Sequence, residues 1–286
     1  STDLSHLFSQ SRHYEVRPPV DLILLGGYFL WGENPAAFHL LHIGLHLFAS
    51  LMVASTLRLL GFDLELSLVS GLLFLINVAH FRAVHWITCT NYTLALIFGL
   101  AVVCCYVQFL EKRSTRWLVW GVVALGLAVL SHPSSVSVAI FCTYLAWRRC
   151  RSVKQTANQS WHLLLAVAVF ALLAHWISPP NSLESQGVFS RPELIRFPRN
   201  LFWYLGRLVT SAHWIAREIS GNQQNLWEIW IGVLVLIGIL ILYRQRVFPV
   251  ADLAVWSLVS ILPFLNNRLD RLAFGPSRQL YLASVG

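Results

Sequence analysis

The hydrophobic positions of this chain fall into long runs, separated by short polar stretches. Ala36–Leu57, Leu66–Val84, Tyr92–Leu110, Trp161–Ile177, Leu226–Tyr243 and Val250–Leu265 each approach or reach the roughly 20 apolar residues that a helix needs to cross a bilayer. A longer apolar stretch from Trp117 to Trp147 is broken by "SHPSS" at Ser131–Ser135. Proline removes a helix hydrogen bond and disfavours helix in the residue before it. The stretch therefore predicts two short helices joined at His132–Pro133, with a single kinked span as the alternative. The pattern as a whole predicts an all-α polytopic bundle of about eight transmembrane helices.

Two further segments suit the membrane surface. In "LFWYLGRLVTSAHWIAREI", Leu201, Leu205, Leu208, Ala212, Ile215 and Ile219 share one helical stripe, and Arg207, Thr210, Arg217 and Glu218 lie off it. That pattern predicts an interfacial amphipathic helix anchored by Trp203 and Trp214. Val20–Trp31 is apolar but too short to cross, and predicts a second interfacial piece. The chain reads as one domain over 1–286. It comprises an outer segment 1–35 with an interfacial helix, six spans over 36–177, and an outer loop 178–225 with the amphipathic helix. Two spans over 226–265 follow, and 266–286 form an outer loop and the start of a further helix. No internal repeat or low-complexity tract interrupts this order.

Composition agrees. The chain is 56% hydrophobic and only 12% charged, about half the charge of an ordinary soluble domain. Twelve Trp and eight Tyr suit the interfacial belts. The net charge of +8 is explained without nucleic acid. Arg58, then Lys112/Arg113/Arg116, then Arg148/Arg149/Arg151/Lys154, then Arg244/Arg246 fall at alternate segment ends. Eight spans place all four clusters on one side, which the positive-inside rule makes cytoplasmic. The five cysteines have no spacing that suggests metal or redox work.

The opposite side collects Arg17, His39, His42, His46, His80, Arg82, His85, His132, Arg268, Arg271 and Arg278. Ionisable groups at a membrane domain are costly and face a cavity or a partner. Guanidinium forks suit phosphate, so a lipid-linked phosphate is the natural candidate. His39, His42 and His46 share one helix face at i, i+3 and i+7. Hydrogen-bonded packing between helices accounts for them, with a divalent metal as the alternative. Arg82 reads more readily as a helix-end anchor that snorkels to the surface. No hydrolase elbow, P-loop or dinucleotide fingerprint is present.

The order of short motifs carries more. "VRPPVDLILLGGYFLWGENPAAFHLLHIGLHLFASLMV" resembles the stretch "YRPL…lfG.nP.gFHl.N…lH" of GT-C-type integral membrane glycosyltransferases. The likeness is to the protein O-mannosyltransferase-like branch whose members often carry tetratricopeptide repeats. It runs through Arg17, Pro18, Trp31, Gly32, Asn34, Pro35, Phe38, His39 and His46. "NVAHFRAVHW" resembles that family's "HP.H.EAV.WI" turn, and "LAVLSHPSSVSVAI" its "LALLSKE.AVTLP". "SRQLYLASVG" resembles "ERYLYLPSIG", matching Arg278, Leu280, Tyr281, Leu282, Ser284 and Gly286.

The resemblance implies a helical bundle with its pocket on the extracytoplasmic face, periplasmic or luminal. The donor implied is a sugar on a polyprenyl phosphate. Arg17, His80, Arg82, His132, Arg278 and Tyr281 are the residues it assigns to substrate or lipid-phosphate binding. An acidic side chain would deprotonate the acceptor hydroxyl, while Arg and His would stabilise the departing phosphate. That acidic residue is expected upstream of Ser1, together with a further span. Five positions depart from the family, among them its Pro in the turn, which is Val78. Its Glu in the turn is Arg82, its first His there is Asn77, and its Lys-Glu in the third motif is His132–Pro133. The departures leave two readings. One is a transferase acting with membrane lipid and a polyprenyl-phosphate sugar, its pocket rearranged. The other is a non-catalytic subunit that keeps the fold beside other membrane subunits. A transporter is a third reading, but one break at Pro133 has no matching partner elsewhere.

Overall fold

The computed structural model describes residues 16–77, 80–177, 196–210, 226–245, 248–265 and 277–285, with backbone alone for Phe81, Arg82, Arg196, Phe248, Pro249, Ser277 and Arg278. The expectations for Trp214, Arg268 and Arg271 lie outside these residues. Every regular element among the described residues is helical. In chain order the helices are α1 (Pro18–Trp31), α2 (Pro35–Leu59), α3 (Leu64–Ile76), α4 (Phe81–His85), α5 (Thr90–Lys112), α6 (Thr115–Ser131), α7 (Val136–Cys150) and α8 (Val153–Ile177). They continue with α9 (Arg196–Val209), α10 (Leu226–Arg244), α11 (Phe248–Ile261) and α12 (Ser277–Leu280). The fold is the all-α helical bundle that the pattern predicts.

Local chemistry sets the boundaries. Asn34 caps α2 by accepting from the Ala36 N–H at 3.1 Å, with Pro35 at the first helical position. Asp63 caps α3 through Leu66 N–H at 2.7 Å. The break expected at His132–Pro133 is present. α6 ends at Ser131, a 3-10 turn covers Pro133–Ser135, and α7 begins at Val136. The His132 ring caps that turn, accepting at Nδ1 from the Ser134 N–H at 3.2 Å. Two helices, rather than one kinked span, are the outcome.

α2, α8, α10 and the stretch Ile87–Lys112 are long and apolar enough to cross a membrane, and α1, α3, α6 and Val250–Phe264 are shorter apolar helices. The polarity of α2 is inverted relative to a soluble helix. His42, His46, Ser50 and Thr56 are buried, while Leu40, Ile43, Leu47, Phe48 and Leu51 are exposed. Such an arrangement is stable where the surroundings are apolar and polar groups find partners only inside. The outer faces of α8 and α10 repeat it, with Leu165, Leu172, Trp176, Trp230 and Leu234 exposed.

Connectors of a few residues force antiparallel neighbours. The pairs α2–α3, α5–α6 and α7–α8 pack side by side. One end of the bundle therefore carries Arg58, Lys112–Arg116 and Arg148–Lys154, and is called the basic end below. The other, the histidine end, carries the 77–89 turn and His132.

Two expectations need correction. The run Leu66–Val84 is not one helix. α3 stops at Ile76, because Asn77 takes an extended conformation (φ −66°, ψ 112°), and α4 follows only at Phe81. Thirteen residues rise about 20 Å, short of the hydrocarbon thickness. The stretch starting at Leu201 is not a surface helix with Arg207 facing water. In α9, Trp203, Tyr204, Leu205 and Arg207 are all at most 1% exposed. α9 lies against α10 with the backbones almost touching. A Cβ at Gly206 would overlap the Glu228 carbonyl oxygen, and one at Gly232 the Phe202 carbonyl oxygen. Small residues permit that approach. Glu228 makes the burial of Arg207 tolerable: their charged atoms are 3.3 Å apart. Trp203 Nε1 donates to the same carboxylate at 2.9 Å, and the guanidinium lies 5.1 Å from the Trp203 ring centre.

The C-terminal segment is held by α11. Trp256 Nε1 donates to Leu282 O at 2.8 Å, and Ser257 Oγ to Ala283 O at 2.7 Å. At its start α11 is clamped to α7. Asp252 pairs with Arg148 and accepts from Tyr144 OH at 3.0 Å.

Candidate functional site

The inward face of α2 presents His42 and His46 one turn apart, and each is fully engaged. His46 Nε2–H donates to the Leu75 carbonyl at 3.0 Å, so Nδ1 carries the lone pair and accepts from Tyr281 OH at 2.7 Å. The neutral tautomer is thus fixed by its partners. His42 Nδ1 lies 3.0 Å from the Val84 carbonyl, and Nε2 meets Thr90 Oγ1. His42 thereby ties α2 to the end of α4 and the start of α5.

Tyr281 arrives from the far end of the sequence, delivered by α12 and the carbonyl contacts from α11. Its ring is fully buried, and burial raises the phenol pKa above its ordinary range. His80 comes from the turn between α3 and α4. Ser284 Oγ donates to the Tyr281 carbonyl at 2.9 Å, so it accepts from His80 Nε2–H at 2.8 Å. His80 is then neutral, with its lone pair on a buried Nδ1 that no donor among the described residues satisfies. Burial, then the neighbouring His46, push its pKa down to about 3, only weakly opposed by the Phe74 carbonyl.

The four rings of His46, Phe74, His80 and Tyr281 form one cluster. Phe74–His80 centroids are 4.3 Å apart, His80–Tyr281 4.8 Å, and His46–His80 5.4 Å. Edge and tilted contacts of this kind add about 0.5–1.5 kcal/mol per pair beyond burial.

The residues singled out in the sequence are distributed as follows. His80 and Tyr281 are brought into contact. His132 joins a neighbouring group, its ring 4.3 Å from Tyr92 and 6.2 Å from Phe264. Arg17 opens α1, its backbone N–H donated to Asp21 at 3.0 Å, and the ring cluster does not include it. The side chains of Arg82 and Arg278 lie outside the described residues. Their backbones belong to α4 and α12, which pack against each other. Among the described residues no group of three His, Cys, Asp or Glu could hold a metal ion.

Three features escape sequence reasoning. The His46–Tyr281 bond joins positions 235 residues apart. Ser284 is a ligand of His80, and Phe74 closes the ring cluster. Arg207 could have been found: Glu228 is the lone carboxylate in the otherwise apolar α10, and a carboxylate there needs a cation.

Chemically, the cluster is buried and its two histidines are neutral, with no carboxylate among its four residues. It can hold a turn in place and offer a lone pair. It cannot neutralise an anion by itself. No family model, curated protein or solved structure matches this chain.

Proposed function

We propose that the chain is a multi-pass membrane protein of GT-C glycosyltransferase type. Its histidine end faces the extracytoplasmic side and binds the phosphate of a polyprenyl-phosphate sugar. One observation carries the reading. The turn 77–86 and the segment 277–285 are separated by about 190 residues of sequence, yet they share a ring cluster and a helix–helix contact. These are the two segments that the motif resemblance assigns to the pocket. In this arrangement His46, His80 and Tyr281 position the two segments, and Arg82 and Arg278 supply the cations for phosphate. Transfer of the sugar to an acceptor hydroxyl then needs a carboxylate base from outside the cluster.

The basic end faces the cytoplasm, following the distribution of Lys and Arg. Membranes carrying the full-length protein are incubated with labelled polyprenyl-phosphate sugar. Transfer to an acceptor, lost in Arg278→Ala, supports the reading; absence of both transfer and lipid binding ends it. Binding without transfer points to the second reading, a non-catalytic subunit. What favours that reading is the arginine at position 82, where the transferase family has Glu, together with a cluster that contains no acid.

A further inference from the structure

We infer that the bundle thins the membrane on one side, so that lipid headgroups and water come down beside α3 to the level of the turn 77–86. The interaction surface is the outer face of α3, and the partner is the bilayer itself. Only four residues separate the end of α2 from the start of α3, so the first turn of α3 is tied to the basic end. Two contacts fix its register against α2. His46 Nε2–H donates to the Leu75 carbonyl at 3.0 Å, and a Cβ at Gly71 would lie 2.9 Å from the Ser50 carbonyl oxygen. Residues 46 and 50 are therefore level with 75 and 71, which puts Ile76 level with Leu45. α2 runs on past that level through Pro35–Gly44, ten residues that rise about 15 Å.

The apolar heights of the two outer faces differ accordingly. Between the exposed His39 and the exposed Arg58, α2 shows Leu40, Ile43, Leu47, Phe48 and Leu51 to its surroundings. Ser55 is exposed too, but it donates back to the Leu51 carbonyl at 2.8 Å and needs no water. Those eighteen residues rise about 27 Å, close to the roughly 30 Å of hydrocarbon. Between the exposed Glu65 and the half-buried Asn77, α3 shows Leu66, Leu68, Val69, Leu72, Leu73 and Ile76. Those eleven residues rise only about 16 Å.

A helix shorter than the hydrocarbon is matched by thinning of the bilayer, by long flanking side chains that reach the interface, or by a protein cover. The flanking side chain at the histidine end is Asn77, too short to bridge a deficit of about 10 Å. The chain beyond it gains little height. The Val84 carbonyl meets His42 Nδ1 at 3.0 Å, and His42 lies only three residues, about 5 Å, past the level of Ile76. In this turn His85 and Thr88 are exposed, and exposed polar groups require water or headgroups. Leu40, farther out on α2, is 68% exposed and requires hydrocarbon. The bilayer surface therefore steps down from α2 to α3. Thinning rests on the membrane reading proposed above and needs no substrate.

The test places a nitroxide at I76C or L234C of the full-length protein in dioleoylphosphatidylcholine liposomes. Cys104, Cys105 and Cys150, the thiols that are not fully buried, are replaced by alanine. Ile76 is 63% and Leu234 66% exposed. Ile76 is eleven residues from Glu65, and Leu234 is ten from Arg244, so each lies about 15–17 Å from a charge at the basic end. In a flat bilayer both sit near mid-hydrocarbon. Power saturation compares collisions with oxygen, which concentrates in hydrocarbon, and with a water-soluble nickel chelate. Oxygen is expected to dominate at Leu234 and the chelate at Ile76, a reversal of the ratio. If I76C does not fold, V69C and L73C decide the question. They lie equally far from Glu65 and Asn77, so thinning gives them equal ratios, and a larger oxygen share at Leu73 overturns it. Dominance of oxygen at both Ile76 and Leu234 overturns the proposal. So does a label at Ile76 that neither reagent reaches, because protein then covers α3. Dominance of the chelate at both positions overturns the membrane reading, and this proposal with it.

Discussion

The two ends of the bundle use the same kinds of residue in opposite ways. At the histidine end, His46 and His80 are buried and neutral, and their partners lie far away in sequence. His46 meets Tyr281, and His80 meets Ser284. At the basic end, cations stay charged and near the surface, and they sit in turns between consecutive helices. Arg113 follows α5, Arg149 lies in the last turn of α7, and Arg151 follows α7. The difference follows from the cost of burial. A histidine can lose its proton and enter an apolar interior with its hydrogen bonds made, whereas an arginine cannot lose its charge. Arg207 is the exception that fits, since it enters only with Glu228 beside it.

That contrast can be broken in order of effect. Glu228→Leu strands a buried guanidinium and is expected to cost about 3–5 kcal/mol. SDS or denaturant titration of the purified protein checks it, and Arg207→Met in the same background should recover much of the loss. A smaller effect comes from acid. The folded pKa of His80 is about 3 against an ordinary 6.5, so the unfolded chain binds the proton first as pH falls. Its contribution to stability is complete above pH 6.5 and declines as pH falls toward 3. Each pH unit in that window is worth about 1.4 kcal/mol, or about 2 kcal/mol by pH 5. The slope of stability against pH should flatten in His80→Asn, and an unchanged slope would show that another group carries it.

Tyr281→Phe keeps the ring stack and removes the hydroxyl that donates to His46. It is expected to cost about 1–2 kcal/mol, the penalty of an unsatisfied buried acceptor, measurable by the same titration. The smallest effect belongs to the basic end. Arg113→Asn should change stability by less than about 1 kcal/mol, toward greater stability, because asparagine better tolerates the left-handed backbone there (φ +54°). A loss larger than that would mean that Arg113 is a packing residue and that the two ends are less different than described.

The fold was legible wherever neighbouring residues decide it. Proline after His132 predicted the division between α6 and α7, and the apolar runs located the principal helices. The error at Leu66–Val84 came from counting apolar residues past Asn77, which ends the helix whatever follows. The error at α9 came from judging Arg207 against its own helix alone. Its partner is on α10, and sequence periodicity carries no information about a charge supplied from another element. The ring cluster shows the same limit. His80 and Tyr281 were each visible as members of short motifs, but their contact depends on how the whole bundle closes.

α11 ties α7 to the segment that carries Tyr281 and Ser284. Asp252 fixes its first turn to Arg148 and Tyr144 on α7. One turn later Trp256 and Ser257 hold the carbonyls of Leu282 and Ala283. Residues 282–283 are bonded to α11 side chains and lie directly between Tyr281 and Ser284. A helix held at two points one turn apart acts as a lever with a short arm. Any rocking of α11 against α7 is delivered to the Tyr281 hydroxyl and the Ser284 hydroxyl together, and so to both histidines at once.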